Sequence, residues 1–213
     1  MTAATPSHRR DWTEVVAAVL LSVAAVATAW SSYQSARWNG EQAKTASRVN
    51  ATRVEAARAQ GLAEAQTEVD VAMFIQWVEA TSHDDLDLEA FYEDRFRAEF
   101  KPAFDAWLDT DPLTTPGAPP TPFALPEYQL EAAQEAEDLD ARAETLAAQV
   151  RRNIQRSTNY VLGVVLFAVS LFFAGISTKL QGRGVRIALL AVGSTIFLAT
   201  AAWIATSPIS VSV

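Results

Sequence analysis

Two uncharged apolar runs, residues 160–178 and 187–206, lie near the end of the chain, and a third, 15–33, lies near its start. Each approaches the roughly 20 apolar residues that a helix needs to cross a bilayer. Only KLQGRGVR, residues 179–186, separates the last two runs. A link that short allows a helical hairpin and little else. The pattern predicts an all-α integral membrane protein with three transmembrane helices, at 15–33, 159–178 and 187–206.

Residues 34–158 read differently. No Pro falls between Ser7 and Lys101, and good helix formers continue from the first span to about Ala80. One long helix is expected there, with Gly40 as a candidate bend. Its Ala43, Ala46, Ala57 and Ala65 offer a small surface for close packing, and VDVAMFIQWVEA at its far end is core-like. Thr81 or Ser82 supplies an N-cap, with an Asp three residues later, for a second helix running to about Thr110. Phe96, Phe100, Phe104 and Leu108 recur at four-residue steps as its apolar stripe, with Phe91 and Trp107 beside them and a kink or restart expected at Pro102.

Six prolines in 111–126 exclude regular structure and predict an extended crossing. A third helix starts at Pro126 or Glu127. Its Ala132, Ala136, Leu139, Ala143, Leu146, Val150, Asn153 and Ser157 step by four and three, the coiled-coil interval. It continues into the second span. The expected fold is thus three spans plus an elongated antiparallel, coiled-coil-like helical domain at 34–158. Residues 1–14 form an N-terminal segment, disordered over 1–8, and 207–213 a short tail.

Charge sharpens this division. The chain carries 17 Lys/Arg and 25 Asp/Glu, a formal −8, and residues 34–158 hold 12 and 23 of them, a formal −11. So acidic a domain argues against nucleic acid, which selects basic stripes. The absence of Cys excludes disulfides, thiolate catalysis and Cys-based metal sites. Arg9 and Arg10 precede the first run, as in a signal peptide, but the run exceeds the typical core of about 7–15 residues. Trp30 and Tyr33 also make Ser31 and Ser32 a poor cleavage site, so an uncleaved anchor is expected.

Both short segments bearing on topology are basic: Arg9 and Arg10, and Lys179, Arg183 and Arg186 in the link. The positive-inside rule places them in the cytoplasm and the acidic domain outside it. Arg37, Lys44, Arg48, Arg151, Arg152 and Arg156 oppose that count, but long translocated domains follow the rule weakly. Trp12, Trp30, Tyr33, Trp38, Tyr160 and Trp203 fall near expected interfaces, as an aromatic belt does.

Candidate chemistry is sparse. His83-Asp84-Asp85 lacks the converging ligands of a metal site and reads as a polar turn. Asp85, Asp87 and Glu89 read as helix-start acids rather than a calcium loop. The spans hold no Asp, Glu, Lys, Arg or His, which argues against pumps and coupled transporters. A pore lined by Ser22, Thr28, Ser170, Ser194, Thr195 and Thr200 stays open, although such hydroxyls usually bond their own helix. Gly182-Arg183-Gly184 reads as a tight turn, not a nucleotide loop. No phosphate loop, nucleophile elbow or triad order occurs, so no catalytic residue, cofactor, metal or small-molecule substrate is expected. Arg151, Arg152 and Arg156 are candidates for lipid head groups or for pairing with Glu41. Ala18, Ser22, Ala25, Ala29 and Ser32 make a small-residue face on the first span, suited to packing within this protein or to a dimer contact.

The segment WSSYQSARWNGEQ resembles a set of uncharacterised bacterial membrane proteins. These carry a W-x-x-Y-Q element after the first span, a helical domain and a closing pair of spans. Trp30, Tyr33 and Gln34 match the element. The resemblance implies topology and a bacterial inner-membrane location, and no activity. Physically, Gln34 could hydrogen-bond a neighbouring chain or span at the interface. The expected role is a membrane-anchored interaction or scaffold protein with the bilayer as one partner. The other is a second copy of the chain or another membrane protein. A subunit of an oligomeric channel or transporter is the alternative.

Overall fold

The computed structural model describes residues 12–180 and 182–210. Arg9, Arg10 and the rest of the N-terminal segment before Trp12, and the last three tail residues, lie outside them. Among the described residues the elements are α1 (Trp12–Ser82), α2 (Leu86–Glu93), α3 (Lys101–Leu108), a 3-10 turn (Pro122–Ala124), α4 (Glu131–Ser177) and α5 (Arg183–Ala205), with no strand. α1, α4 and α5 each contain a stretch long and apolar enough to cross a membrane. The chain divides into two compact units, Met1–Ala46 with Ala147–Val213, and Ser47–Leu146.

In the unit Ser47–Leu146, α1 and α4 run antiparallel: Arg53 meets Glu144 at 3.2 Å, and Ala63, further along α1, packs on Leu130, further back in the chain. Buried α1 positions, Val49, Thr52, Ala56, Ala59 and Ala63, step by three and four. Ala43, in the other unit, and Ala57 and Ala65 here face outward, and Ala46 is half-buried. The packed alanines are therefore different from those expected. A helix one residue out of phase turns by about 100°, so composition alone does not choose its face. The α4 positions Ala132, Ala136 and Ala143 are buried, with Leu139 and Leu146 half-buried.

An aromatic core of Phe74, Trp77, Phe96, Phe100, Phe104 and Trp107 fills the end of this unit. Phe96 and Phe104 meet edge-on at 4.7 Å, and Phe100 stacks on Phe123 at 5.1 Å. Such geometries add about 0.5–1.5 kcal/mol per pair beyond burial. Both indole N–H groups find acceptors, Trp77 on Glu93 at 3.0 Å and Trp107 on the Pro119 carbonyl at 2.8 Å. The second bond, with buried Pro122, fixes the Pro-rich crossing to the core; the crossing is a chain of turns with one 3-10 turn, not simply extended.

Four further expectations need correction here. Thr81 and Ser82 belong to α1, where their hydroxyls bond carbonyls of their own helix. The N-cap of α2 is Asp85, whose carboxylate accepts from Leu88 N at 3.1 Å. Asp84 makes the turn between them at φ 55, with Asp85 N bonded to Ala80 O, a helix stop usually given to Gly. The restart expected at Pro102 is found, with Pro102 in the first turn of α3, where a missing N–H costs nothing, but the first part of the expected helix already ends at Glu93. Phe91, on α2, is exposed under the Arg95 guanidinium rather than beside the stripe. α4 begins at Glu131, not at Pro126 or Glu127.

In the unit Met1–Ala46 with Ala147–Val213, α1 and α4 are again antiparallel. Ser35 Oγ lies 3.0 Å from Ser157 Oγ, and Arg156 caps the Trp38 ring at 4.5 Å. α5 packs against both. Ser170 Oγ donates to the Gly193 carbonyl at 2.8 Å, and a Cβ on Gly193 would meet Phe173 Cβ and Ser170 O at 3.3 Å. Arg186 reaches Glu14 at 3.4 Å, tying the start of α5 to the start of α1. α5 starts at Arg183, so Arg183 and Gly184 are helical and only Gly182 of that triplet lies in the link. α1 passes through Gly40 as unbroken helix.

Candidate functional site

Two buried polar constellations stand out, one in each unit. The first is a clasp on the tail. α5 ends at Ala205, and Pro208 prevents its continuation. The Pro208 carbonyl then accepts twice, from Trp38 Nε1 at 3.2 Å and from the Tyr160 hydroxyl at 3.3 Å. A carbonyl oxygen has two lone pairs, so both bonds fit. Gln34 is fully buried, and its Oε1 accepts from the Ser210 N–H at 3.0 Å. That bond fixes which end of the amide is oxygen, since only oxygen accepts. Its Nε2 is left without a partner, as is the hydroxyl of Ser31, one turn earlier and also fully buried. Gln34 thus holds the chain's own tail.

The expected interface residues separate into two sets. Trp38, Tyr160 and Gln34 are buried in the clasp; Trp12 (76 % exposed), Trp30, Tyr33 and Trp203 lie on the surface. Trp30 and Tyr33 sit side by side, ring centroids 6.0 Å apart. Arg151 and Arg152 are exposed, whereas Arg156 is half-buried on Trp38. Glu41 pairs with Lys44 at 3.0 Å. Asn153 and Ser157 are buried on α4, and Val150 is half-buried.

Span hydroxyls behave mostly as helix-internal groups. Ser22, Thr28 and Thr195 donate to carbonyls four residues back, and Ser170 alone of these crosses to another helix. Ala18, Ser22, Ala25, Ala29 and Ser32 all face outward. The packing face of α1 in this unit is instead Thr13, Ala17, Leu20, Ala24 and Ser31. The small-residue face therefore does not serve packing within the chain.

The second constellation centres on Asp70, 1 % exposed on α1. Arg97 reaches its carboxylate at 2.8 Å, and the Tyr128 hydroxyl at 3.1 Å. Arg97 also pairs with Glu99, whose other oxygen accepts from Glu131 N at 2.9 Å. Glu99 thereby supplies the missing acceptor for an orphan N–H in the first turn of α4. Burial pushes the Asp70 carboxyl above its ordinary value, against the downward pull of Tyr128 and Arg97. Burial likewise raises the Tyr128 phenol, with the nearby Asp70 carboxylate adding to the shift. The arrangement joins α1, the segment after α2 and the start of α4.

Sequence reading missed this network. Asp70 is one acid among many, and its partners are 27 and 58 positions away. The one available signal was a lone Asp within an otherwise apolar stretch, VDVAMF. His83 bonds the Glu79 carbonyl at 2.8 Å, as a turn residue. Among the described residues no group of His, Asp or Glu is placed to hold a metal. No protein-family model, curated protein or solved structure matches this chain.

Proposed function

We propose that this chain is a membrane-anchored helical scaffold or interaction protein that self-associates. The observation that supports it is an inverted distribution of side chains in the unit Met1–Ala46 with Ala147–Val213. Its buried positions include Ala17, Ala24, Ser31, Gln34, Ser170, Ala174 and Ser177. Its exposed positions include Val19, Val26, Val165, Phe172 and Leu198. In water, the large apolar groups would be the buried ones. In lipid, small residues let helices approach and large ones face the hydrocarbon. The bilayer is then a partner over 15–33, 159–178 and 187–206, with exposed Trp12, Trp30, Tyr33 and Trp203 at its borders and Arg151 and Arg152 offered to anionic head groups.

Self-association follows from the outward small-residue face of α1. A second copy would use it for close backbone approach. The three-and-four spacing of buried positions along α1 and α4 supports a coiled-coil-like pairing within the acidic domain. The basic link favours a cytoplasmic N-terminus in a bacterial inner membrane, with the acidic domain on the other side. Labelling single Cys residues introduced at Ser82 and Gly182 with an impermeant reagent tests sidedness; modification of position 82 alone in intact cells is expected. Native mass spectrometry in detergent tests assembly. Oligomers are expected, with Ala25→Leu shifting them toward monomer; monomer alone for the unaltered chain contradicts self-association.

A further inference from the structure

A cleft of about 260 Å³ opens in the unit that carries the tail clasp, between α1, α4, α5 and the tail. Ala27, Phe167, Ala201, Ile204 and Ile209 make its walls apolar, and Trp30 stands at its side. Its one strongly polar lining group is Ser31, fully buried, whose hydroxyl has no hydrogen-bond partner. One turn along the same helix face, the Gln34 amide nitrogen is also buried without an acceptor. The volume falls below the roughly 300–1,000 Å³ of a site for a drug-sized molecule. It suits a single narrow hydrocarbon segment.

Of the two only Ser31 lines the cleft, and its hydroxyl can donate. The complementary ligand is hydrocarbon along its length with an uncharged acceptor at one end. The carbonyl of an acyl ester has this chemistry, and in a bilayer it sits at the level of the aromatic belt to which Trp30 and Tyr33 belong. We propose that the cleft holds one acyl chain of a glycerolipid, its ester carbonyl accepting from Ser31. The inference rests on the membrane reading above. The lipid then acts as a fourth packing element beside α1, α4 and α5, placed against the residues that retain the tail.

The test uses the full chain in phosphatidylcholine vesicles doped with phosphatidylcholine carrying a photoactivatable diazirine in one acyl chain. Adducts are mapped by mass spectrometry. Phe167 and Ile204, buried in the protein, should be labelled along with Val26 and Phe172, which are exposed. Ser31→Ala should cut labelling at Phe167 and Ile204 by about fivefold, the size of one net hydrogen bond, and leave Val26 and Phe172 unchanged. Ala205→Phe, at an exposed residue lining the cleft, should remove the labelling there without disturbing buried packing. Labelling of Val26 and Phe172 without Phe167 and Ile204, or cleft adducts that ignore both substitutions, overturns the proposal and leaves the membrane reading intact. Absence of adducts at all four positions overturns both.

Discussion

The two units differ in the balance of what they bury: an aromatic cluster dominates one interior, and small residues beside a smaller cluster of Trp38, Tyr160, Phe167 and Ile204 fill the other. In Ser47–Leu146 the inside holds Phe74, Trp77, Phe100, Phe104 and Trp107, and charged residues share the outside with scattered apolar ones such as Val54, Leu62 and Ile75. In the other unit Ala, Ser and Gln side chains line much of the helix contacts, while Val, Phe and Leu face out. One chain, built almost wholly of helix, thus follows two packing rules. On the proposed membrane reading, the solvent around each unit accounts for the difference. Where water is the solvent, area removed from it drives packing. Where hydrocarbon is the solvent, close fit and interhelical hydrogen bonds must do so.

The comparison is most easily broken by cutting into each interior. Phe104→Ala should cost about 3–5 kcal/mol, since it opens a cavity among four aromatic neighbours, Trp77, Phe96, Phe100 and Trp107. Urea unfolding of the detergent-solubilised chain, followed by Trp fluorescence, measures it. Gly193→Val tests the other rule. The added carbons collide with Phe173 and the Ser170 backbone, and overpacking of this kind costs about 1–3 kcal/mol. Thermal unfolding in the same detergent should show the loss. A Gly193→Val chain of unchanged stability would mean that α4 and α5 do not meet closely there.

Gln34→Ala sharpens the account of the clasp. It leaves the buried Ser210 N–H without an acceptor, at about 1–3 kcal/mol. Hydrogen exchange at residues 207–210 should accelerate while exchange in α3 stays constant. Asp70 gives a pH signature in the water-solvated unit. Its folded carboxyl lies above the ordinary value near 3.8, so the folded chain keeps a proton that the unfolded chain has released. Its contribution therefore falls as pH rises through that window, and is level above it. Asp70→Asn should abolish this part of the slope, read as the difference between the two unfolding midpoints across acid pH. The smallest effect belongs to Val26→Ala, on an outward face of α1, expected within about 0.5 kcal/mol.

The sequence made the long-range plan visible because periodicity and run length are local properties. The three apolar stretches, the long helix to about Ala80 and the inward positions of α4 follow from spacing alone. Helix boundaries followed less well. Asp85 took the cap expected of Thr81 or Ser82 because α1 continues two residues further, to Ser82, and stops with Asp85 N on Ala80 O. The start of α4 depends on Glu99, 32 positions away, and no local rule reports that. Tyr160 and Trp38 read only as belt residues, yet both serve the tail, because a partner at Pro208 is set by folding. Gln34 was legible as an interface hydrogen-bonding group but not as a ligand of the tail.

The inverted unit carries the central claim, and its Cys-free sequence makes the direct test simple. Single spin labels at Val26, Phe172 and Leu198, in vesicles, can be challenged with oxygen and with a water-soluble nickel chelate. High collision with oxygen and almost none with the chelate at all three positions is the predicted result. Free access of the chelate to them would place these faces in water and contradict the account.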